Sequence, residues 1–286
     1  MPHTRQHNFN RLTALGQLLM LLVLLVNLSG CRLYGTLYGT TRDAYTDQEV
    51  KKYLETEPNP RSIDVHGTWV TDRGMSYLSD KTSITSLSLG KTRISDAGLR
   101  HLQNLINVER LSLSNTKVTD DGLKYLVKME RLKTLFLDGC DITGAGLRHL
   151  KNLPNLKSLF LNNTGIKDEH LVHVRDMKQL KYLDVSSVTF TFGPRISDVG
   201  LRHLSGMPKL ADLGLDHTDV TDDGLAVIDT LNNIESLSLM GTGITDAGLK
   251  HLYNSKLISW LELRGTKVTR KGLDELYKHL RPHVHR

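Results

Sequence analysis

The two thiols of this 286-residue chain are its most reactive side chains, and they stand in unlike settings. Cys31 follows a run from Leu12 to Leu28 that is apolar except for small or polar residues such as Thr13, Gly16, Gln17 and Asn27. Cys140 lies far away in a leucine-rich stretch. His170 and His173 are one helical turn apart beside Asp168 and Glu169, but no H-E-x-x-H spacing or third ligand accompanies them, which argues against zinc. His279, His283 and His285 form a loose cluster that reads as a tail rather than a metal framework. Gly90-Lys91-Thr92 mimics the end of a phosphate-binding loop, yet the glycine needed five residues earlier is Thr85. No serine sits in a nucleophile-elbow glycine pattern. The expectation is a chain with no enzymatic activity, no metal and no cofactor, in which only Cys31 has chemistry to do.

The position of Cys31 says what that chemistry is. Residues 1–11 carry Arg5 and Arg11 and no acid. A basic start, an apolar run and small residues ahead of a cut site are the layout of a secretory signal. The run is a little short for a comfortable membrane span of about 20 residues. Leu28-Ser29-Gly30-Cys31 resembles the lipobox of bacterial lipoproteins: a branched aliphatic, two small residues, then Cys. That resemblance implies diacylation of the Cys31 thiol, cleavage before it, and often acylation of the new amino terminus. Two or three acyl chains anchor stably where one binds marginally. The alternative is an uncleaved signal anchor with an incidental cysteine. Arg32 stands where Asp favours inner-membrane retention in the enteric branch of that family, so the resemblance points weakly outward. The expected location is the bacterial cell envelope, periplasmic or surface-facing, held by a lipid anchor. Residues 1–30 hold two arginines and no acid, so their loss takes the formal charge from +6 to +4. That suits solubility and does not predict a nucleic-acid partner.

The rest of the chain repeats. LSLGKTRISDAGLRHLQNLINVER begins at Leu87, and LSLSNTKVTDDGLKYLVKMERLKT at Leu111. Further copies begin at Leu135, Leu159, Leu183, Leu213, Leu237 and Leu261, with a weaker one at Ile63. The spacing is 24 residues except from 183 to 213, where it is 30, so one copy carries a six-residue insertion. Each copy reads as a short Leu-x-Leu strand, a turn, and a helix. In the second copy Asp96 is placed to cap a helix whose Leu99, Leu102 and Leu105 fall on one side. Strand, helix and strand again predict a parallel sheet with right-handed crossovers. One copy cannot bury enough to fold alone; stacked copies share faces and strand hydrogen bonds.

The pattern resembles the leucine-rich repeat, L-x-x-L-x-L-x-x-N/C-x-L, over roughly residues 63–280. Thr68, Thr92, Thr116, Thr164, Thr218, Thr242 and Thr266 occupy the Asn/Cys column, and Cys140 shares it as a small buried turn residue. With (I/V)-(S/T)-D-x-G-L following, the copies are similar to the ribonuclease-inhibitor-like and cysteine-containing branches. The resemblance implies an α/β fold: a right-handed solenoid of about nine 24-residue repeats, with parallel strands on its concave face and helices on its convex face. The chain divides into a signal peptide (1–30), lipidated Cys and tether (31–45), capping helix and linker (46–60), repeat domain (61–280) and tail (281–286). Thr46 or Asp47 can cap the first helix, which Pro58 and Pro60 end, and the charged helix from Lys271 to Leu280 suits a last repeat.

In that fold the residues flanking each strand leucine point to the concave surface. Most are small and polar, but Phe136 and Phe160 fall on adjacent strands with Tyr182 one strand on. Asp138, Asn162, Asp184, Asp212 and Asp216 surround them. Exposed aromatics ringed by polar groups have the composition of a binding hot spot. Two departures fall alongside: the insertion, with Phe190 and Phe192, and His170 in place of a glycine found in every other copy. The partner expected is a protein segment, basic or amphipathic. The alternative is an envelope glycan stacking on the same aromatics, and the plainest reading is a simple phenylalanine ladder. On the helices His101, His149, His173, His203 and His251 accompany Arg100, Lys124, Arg148, Arg202 and Lys250. This reads as a solvated basic face, with attraction to anionic headgroups as a second reading.

Overall fold

A computed structural model of the chain describes residues 45–187 and 195–280. Cys31 with its apolar run, the tether, Phe190, Phe192, His283 and His285 lie outside the described residues. Nine parallel strands form one sheet in sequence order. They are β1 (Ser62–Asp64), β2 (Ser86–Ser88), β3 (Arg110–Ser112), β4 (Thr134–Phe136), β5 (Ser158–Phe160), β6 (Tyr182–Asp184), β7 (Asp212–Gly214), β8 (Ser236–Ser238) and β9 (Trp260–Glu262). Each repeat is numbered by its strand. The register is set residue for residue: Leu87 opposes Leu111, which opposes Leu135. The central leucine of each strand from β2 to β8 is buried, and its two neighbours face the other way, as period-two alternation requires.

After the strand the chain makes one tight turn. Lys91, Asn115, Asn163 and His217 take positive φ there in repeats 2, 3, 5 and 7, and Gly67, Gly139, Gly241 and Gly265 take it in repeats 1, 4, 8 and 9. The Thr column closes this turn. Thr92 Oγ1 donates to Leu89 O at 2.6 Å and Thr116 Oγ1 to Leu113 O at 2.7 Å. Cys140 is buried as expected, but its thiol donates across to Leu113 O of the preceding repeat at 3.1 Å. Burial pushes that thiol's pKa up, so it is an unreactive packing residue.

The helical segments differ from the expectation in two ways. Those of repeats 3, 4 and 8 (Asp120–Leu126, Ala145–His149 and Gly248–Leu252) are 3-10 helices. Segments this short gain little from α geometry, and bonding three residues back suits one or two turns. Nor does Asp96 cap its own helix. Ser95 does, accepting a hydrogen bond from the Ala97 amide at 3.3 Å. The Asp96 carboxylate instead reaches the next repeat, where Thr119 donates to it from its amide at 2.9 Å and its hydroxyl at 2.7 Å.

This clamp recurs along the array. Asp47 holds Thr71, Asp72 holds Ser95, Asp120 holds Thr143 and Asp168 holds Ser197. Asp198, Asp222 and Asp246 hold Thr221, Thr245 and Thr269. A hydroxyl can thus cap its own helix as acceptor and tie to the previous repeat as donor, as those of Ser95, Thr119 and Ser197 do. The glycine three residues after each clamped Ser or Thr leaves room for the incoming carboxylate. A Cβ at Gly98 would lie 2.5 Å from an Asp72 oxygen, and one at Gly248 would lie 2.2 Å from an Asp222 oxygen. At Asp120 burial works against the charge, but hydrogen bonds from Gly146, Thr143 and Gly144 outweigh it and hold the carboxyl below its ordinary pKa.

One junction lacks the clamp. Between repeats 4 and 5 the Asp is Gly144, the Ser/Thr is Lys167, and the glycine is His170. The three exchanges fit one another. A Cβ at Gly144 would lie 2.6 Å from that of His170, so the imidazole occupies the space a carboxylate takes elsewhere. His170 Nδ1 lies 2.9 Å from Thr143 O, and the Lys167 amide donates to the same carbonyl at 3.2 Å. His170 is therefore a packing substitute in the array and not an addition to the sheet-face patch.

The first helix, Asp47–Thr56, covers the start of the array. Thr46 and Glu49 form a reciprocal capping box, and Val50 and Leu54 are buried. The last helix, Arg270–Leu280, buries Leu276 and Leu280 at the other end.

Asp96→Ala should destabilise the protein by about 2–4 kcal/mol, since two hydrogen bonds to a charged group are lost and Thr119 keeps an unpaired amide. Urea unfolding, together with faster hydrogen exchange at the Thr119 amide, checks this. At the unclamped junction, Gly144→Asp alone should cost about 2 kcal/mol or more, because it meets His170 and leaves a positive φ. Combined with Lys167→Thr and His170→Gly it should recover that loss, and simple additivity in the mutant cycle would refute the exchange.

Candidate functional site

The candidate site occupies the sheet face of repeats 4 to 8, where residues on either side of the buried leucines are free to vary. Three rows run across the strands. The middle row reads Ser112, Phe136, Phe160, Asp184 and Gly214 in register. On one side of it Ser158, Tyr182 and Asp212 are paired in register. On the other, just past the strand ends, come Asp138, Asn162, Ser186 and Asp216. The structure therefore brings Phe136, Phe160, Tyr182, Asp138, Asn162, Asp184, Asp212 and Asp216 onto one face.

Phe136 and Phe160 stack with ring centroids 4.5 Å apart and planes 10° from parallel. This is where the structure departs from the expected exposed aromatics. Each ring covers a face of the other, and both are half-buried, whereas Tyr182 is the exposed one at 40%. The stack presents edges and outer faces rather than an open platform.

The acids are oriented by the repeat backbone. Asp138 accepts from Ser114 Oγ at 2.9 Å and from the Asn162 amide at 3.2 Å. Asp184 accepts from the Ser186 amide at 3.0 Å. Asp216 accepts from Ser238 Oγ and, at 2.8 Å, from the Met240 amide. Gly214 leaves the room Asp184 needs, because a Cβ there would lie 2.3 Å from its Oδ1. The buried Oδ1 of Asn162 has no hydrogen-bond partner among the described residues. Ser114, Gly214 and Ser238 fall in sheet-face rows that the repeat predicts, but their contacts with the carboxylates, and the part of Glu235, were not legible. Only the cross-repeat contacts single them out, and no local motif could have done so.

Electrostatically the face is loaded with negative charge. Burial, with Asp184 adding to it, raises the Asp138 pKa. Burial and then Asp184 and Glu262 raise that of Asp216. Asp212 is raised by burial and by Glu235, and the Tyr182 hydroxyl by burial, Asp212 and Glu235. Each shift states that the anion is costlier here than in water, so a cation seated on this face would be favoured. No group of three or more His, Cys, Asp or Glu side chains among the described residues could hold a metal ion. No helix among them is long and apolar enough to cross a membrane.

Comparisons agree with this architecture. The family described as Leucine Rich repeat matches residues 104–127 and 230–252. Among solved structures, an internalin from Listeria monocytogenes is similar in fold, with a TM-score of 0.51 and 18% sequence identity over 85% of this chain and 82% of that one. No curated protein matches the chain.

The raised carboxyls carry a sign that can be tested. A carboxyl whose pKa is higher folded than unfolded binds its proton more tightly when folded. Stability is then fully present below the ordinary Asp value of 3.8 and falls as pH rises through the folded-state value. Asp212→Asn should therefore flatten the decline in stability above that value. Urea unfolding at pH 4 and pH 7 on both proteins measures the difference, and an unchanged slope would contradict the assignment.

Proposed function

This chain is a leucine-rich-repeat protein, and from that premise we propose that it is a non-catalytic module that binds a basic protein segment across the sheet face of repeats 4 to 8. The observation that carries this is the stacked Phe136–Phe160 pair, set between the exposed Tyr182 and a group of carboxylates whose charge is opposed by burial and by one another. A lysine or arginine lying along the ring edges would place an apolar stem on the stack and its charged head among Asp138, Asp184 and Asp216. The carboxylates around the stack favour a basic peptide over a neutral glycan, which offers no cation to them.

The resemblance of Leu28-Ser29-Gly30-Cys31 to a lipobox supports a second part of the reading. The mature chain is anchored to the bacterial envelope through acyl groups on Cys31.

Affinity capture tests the binding face. Full chain carrying Cys31→Ser is immobilised and exposed to solubilised envelope, beside a Phe136→Ala/Phe160→Ala/Tyr182→Ala version. A protein retained at least about 30-fold better by the first is expected, in line with loss of a central aromatic hot spot. Equal retention would remove the site from this face, and retention of cell-wall glycan alone would favour the sugar reading.

A further inference from the structure

The helix side of the array presents a row of exposed cations. Arg100, Lys124, Arg148 and Arg202 occupy one register position of repeats 2, 3, 4 and 6, and all four are exposed. Lys151 and Arg175 lie three residues beyond that position in repeats 4 and 5, and both are exposed. Among the described residues none of the six forms an ion pair. Arg148 Nη1 donates to Ala145 O at 2.8 Å and Arg202 Nε to Asp198 O at 3.3 Å, both backbone carbonyls, and Lys124 Nζ lies 5.3 Å from the Tyr125 ring centroid. Exposed acids such as Asp121 and Asp176 share these segments, but none forms an ion pair with the six cations. The local potential is positive enough to be felt by the histidines beside them. Desolvation, then Arg148 and Lys124, hold His149 below its ordinary pKa; desolvation, His170, Lys151 and Arg148 do the same to His173, against Asp121 and Asp176 respectively.

A second feature shares this side. Val127, Val172 and Val199, within or directly after helical segments, are 46%, 36% and 56% exposed, and Ile106, in the turn before β3, is 50% exposed, whereas the other Leu, Ile and Val side chains described in repeats 2 to 6 are buried. Cations without ion-pair partners, interspersed with exposed aliphatics, are the composition of surfaces that lie in a lipid interface. A nucleic-acid backbone would match the cations and gain nothing from the aliphatics.

We propose that the helix side of repeats 2 to 6 docks on an anionic membrane surface, its arginines and lysines at the headgroups and Val127, Val172 and Val199 in the interface. This leaves the acidic sheet side facing away from the lipid. It does not depend on what the sheet side binds.

The test uses full chain carrying Cys31→Ser and Val127→Cys, labelled at the introduced thiol with a polarity-sensitive fluorophore; Cys140 is buried and stays unlabelled. Vesicles of phosphatidylcholine alone are compared with vesicles containing phosphatidylglycerol, at low salt. The label's emission should rise and shift to the blue only with phosphatidylglycerol. Each Lys or Arg near such a surface contributes roughly fivefold, so Lys124→Ser/Arg148→Ser/Lys151→Ser should weaken the anion-dependent partitioning by roughly a hundredfold. The Phe136→Ala/Phe160→Ala version should respond like the parent. Emission that is unchanged on both vesicles while the chain sediments with them would overturn the proposal, since the N-terminal apolar run alone would then be binding. So would an equal response to both lipids, or a response to a duplex oligonucleotide as strong as that to the anionic vesicles.

Discussion

Everything in this array depends on how one repeat is fastened to the next, and the fastening is a carboxylate accepting two hydrogen bonds from a single Ser or Thr. The Asp sits in the first turn of its own helical segment, where backbone amides favour an anion, and reaches forward to the cap of the next. A short helix gains little stability from its own hydrogen bonds. Here each is held at its start by the residue that also fixes the spacing of the array. Because the hydroxyl is donor to one repeat and acceptor in its own, capping and stacking cannot be set independently. The glycine that follows is part of the same unit, for the carboxylate has nowhere to go if that position carries a side chain.

Fastening on the helix side frees the other surface. The sheet leucines and the Thr turns hold the strands in register, so the residues between them carry little of the fold's stability. That is where Phe136, Phe160 and Tyr182 appear, with carboxylates oriented by hydrogen bonds from neighbouring repeats. Short-range order of this kind lets a binding surface change without disturbing the core. The two surfaces differ in what they expose: carboxylates and aromatics on the sheet side, and cations outside ion pairs with scattered aliphatics on the helix side.

Much of this was readable in the residues. The 24-residue period, the Leu-x-Leu strands and the Thr column name the architecture, and the strand register follows because identical positions must oppose one another. The sheet-face rows were legible for the same reason. What could not be read is what happens between copies. Asp96 sits where a helix cap belongs, and only three-dimensional stacking sends its carboxylate to Thr119. Phe136 and Phe160 are evident as neighbours, but their mutual shielding depends on rotamers that a pattern of letters does not hold. His170 stands out as an anomaly in a glycine column. Its explanation lies 26 residues earlier at Gly144 and three residues earlier at Lys167, positions that look unrelated until the repeats are stacked.

The matched exchange at Gly144, Lys167 and His170 also constrains how such an array can change length. Elsewhere a whole repeat could be gained or lost by recombination and the new neighbours would still fit. Here, deleting repeat 4 alone would bring the Asp120 carboxylate against His170, and deleting repeat 5 alone would leave Ser197 facing Gly144 with no acceptor. Deleting both restores an Asp120–Ser197 pair with Gly200 behind it. In this part of the chain the heritable unit is the pair of repeats, and repeats 4 and 5, which carry the two stacked phenylalanines, would be inherited or lost together.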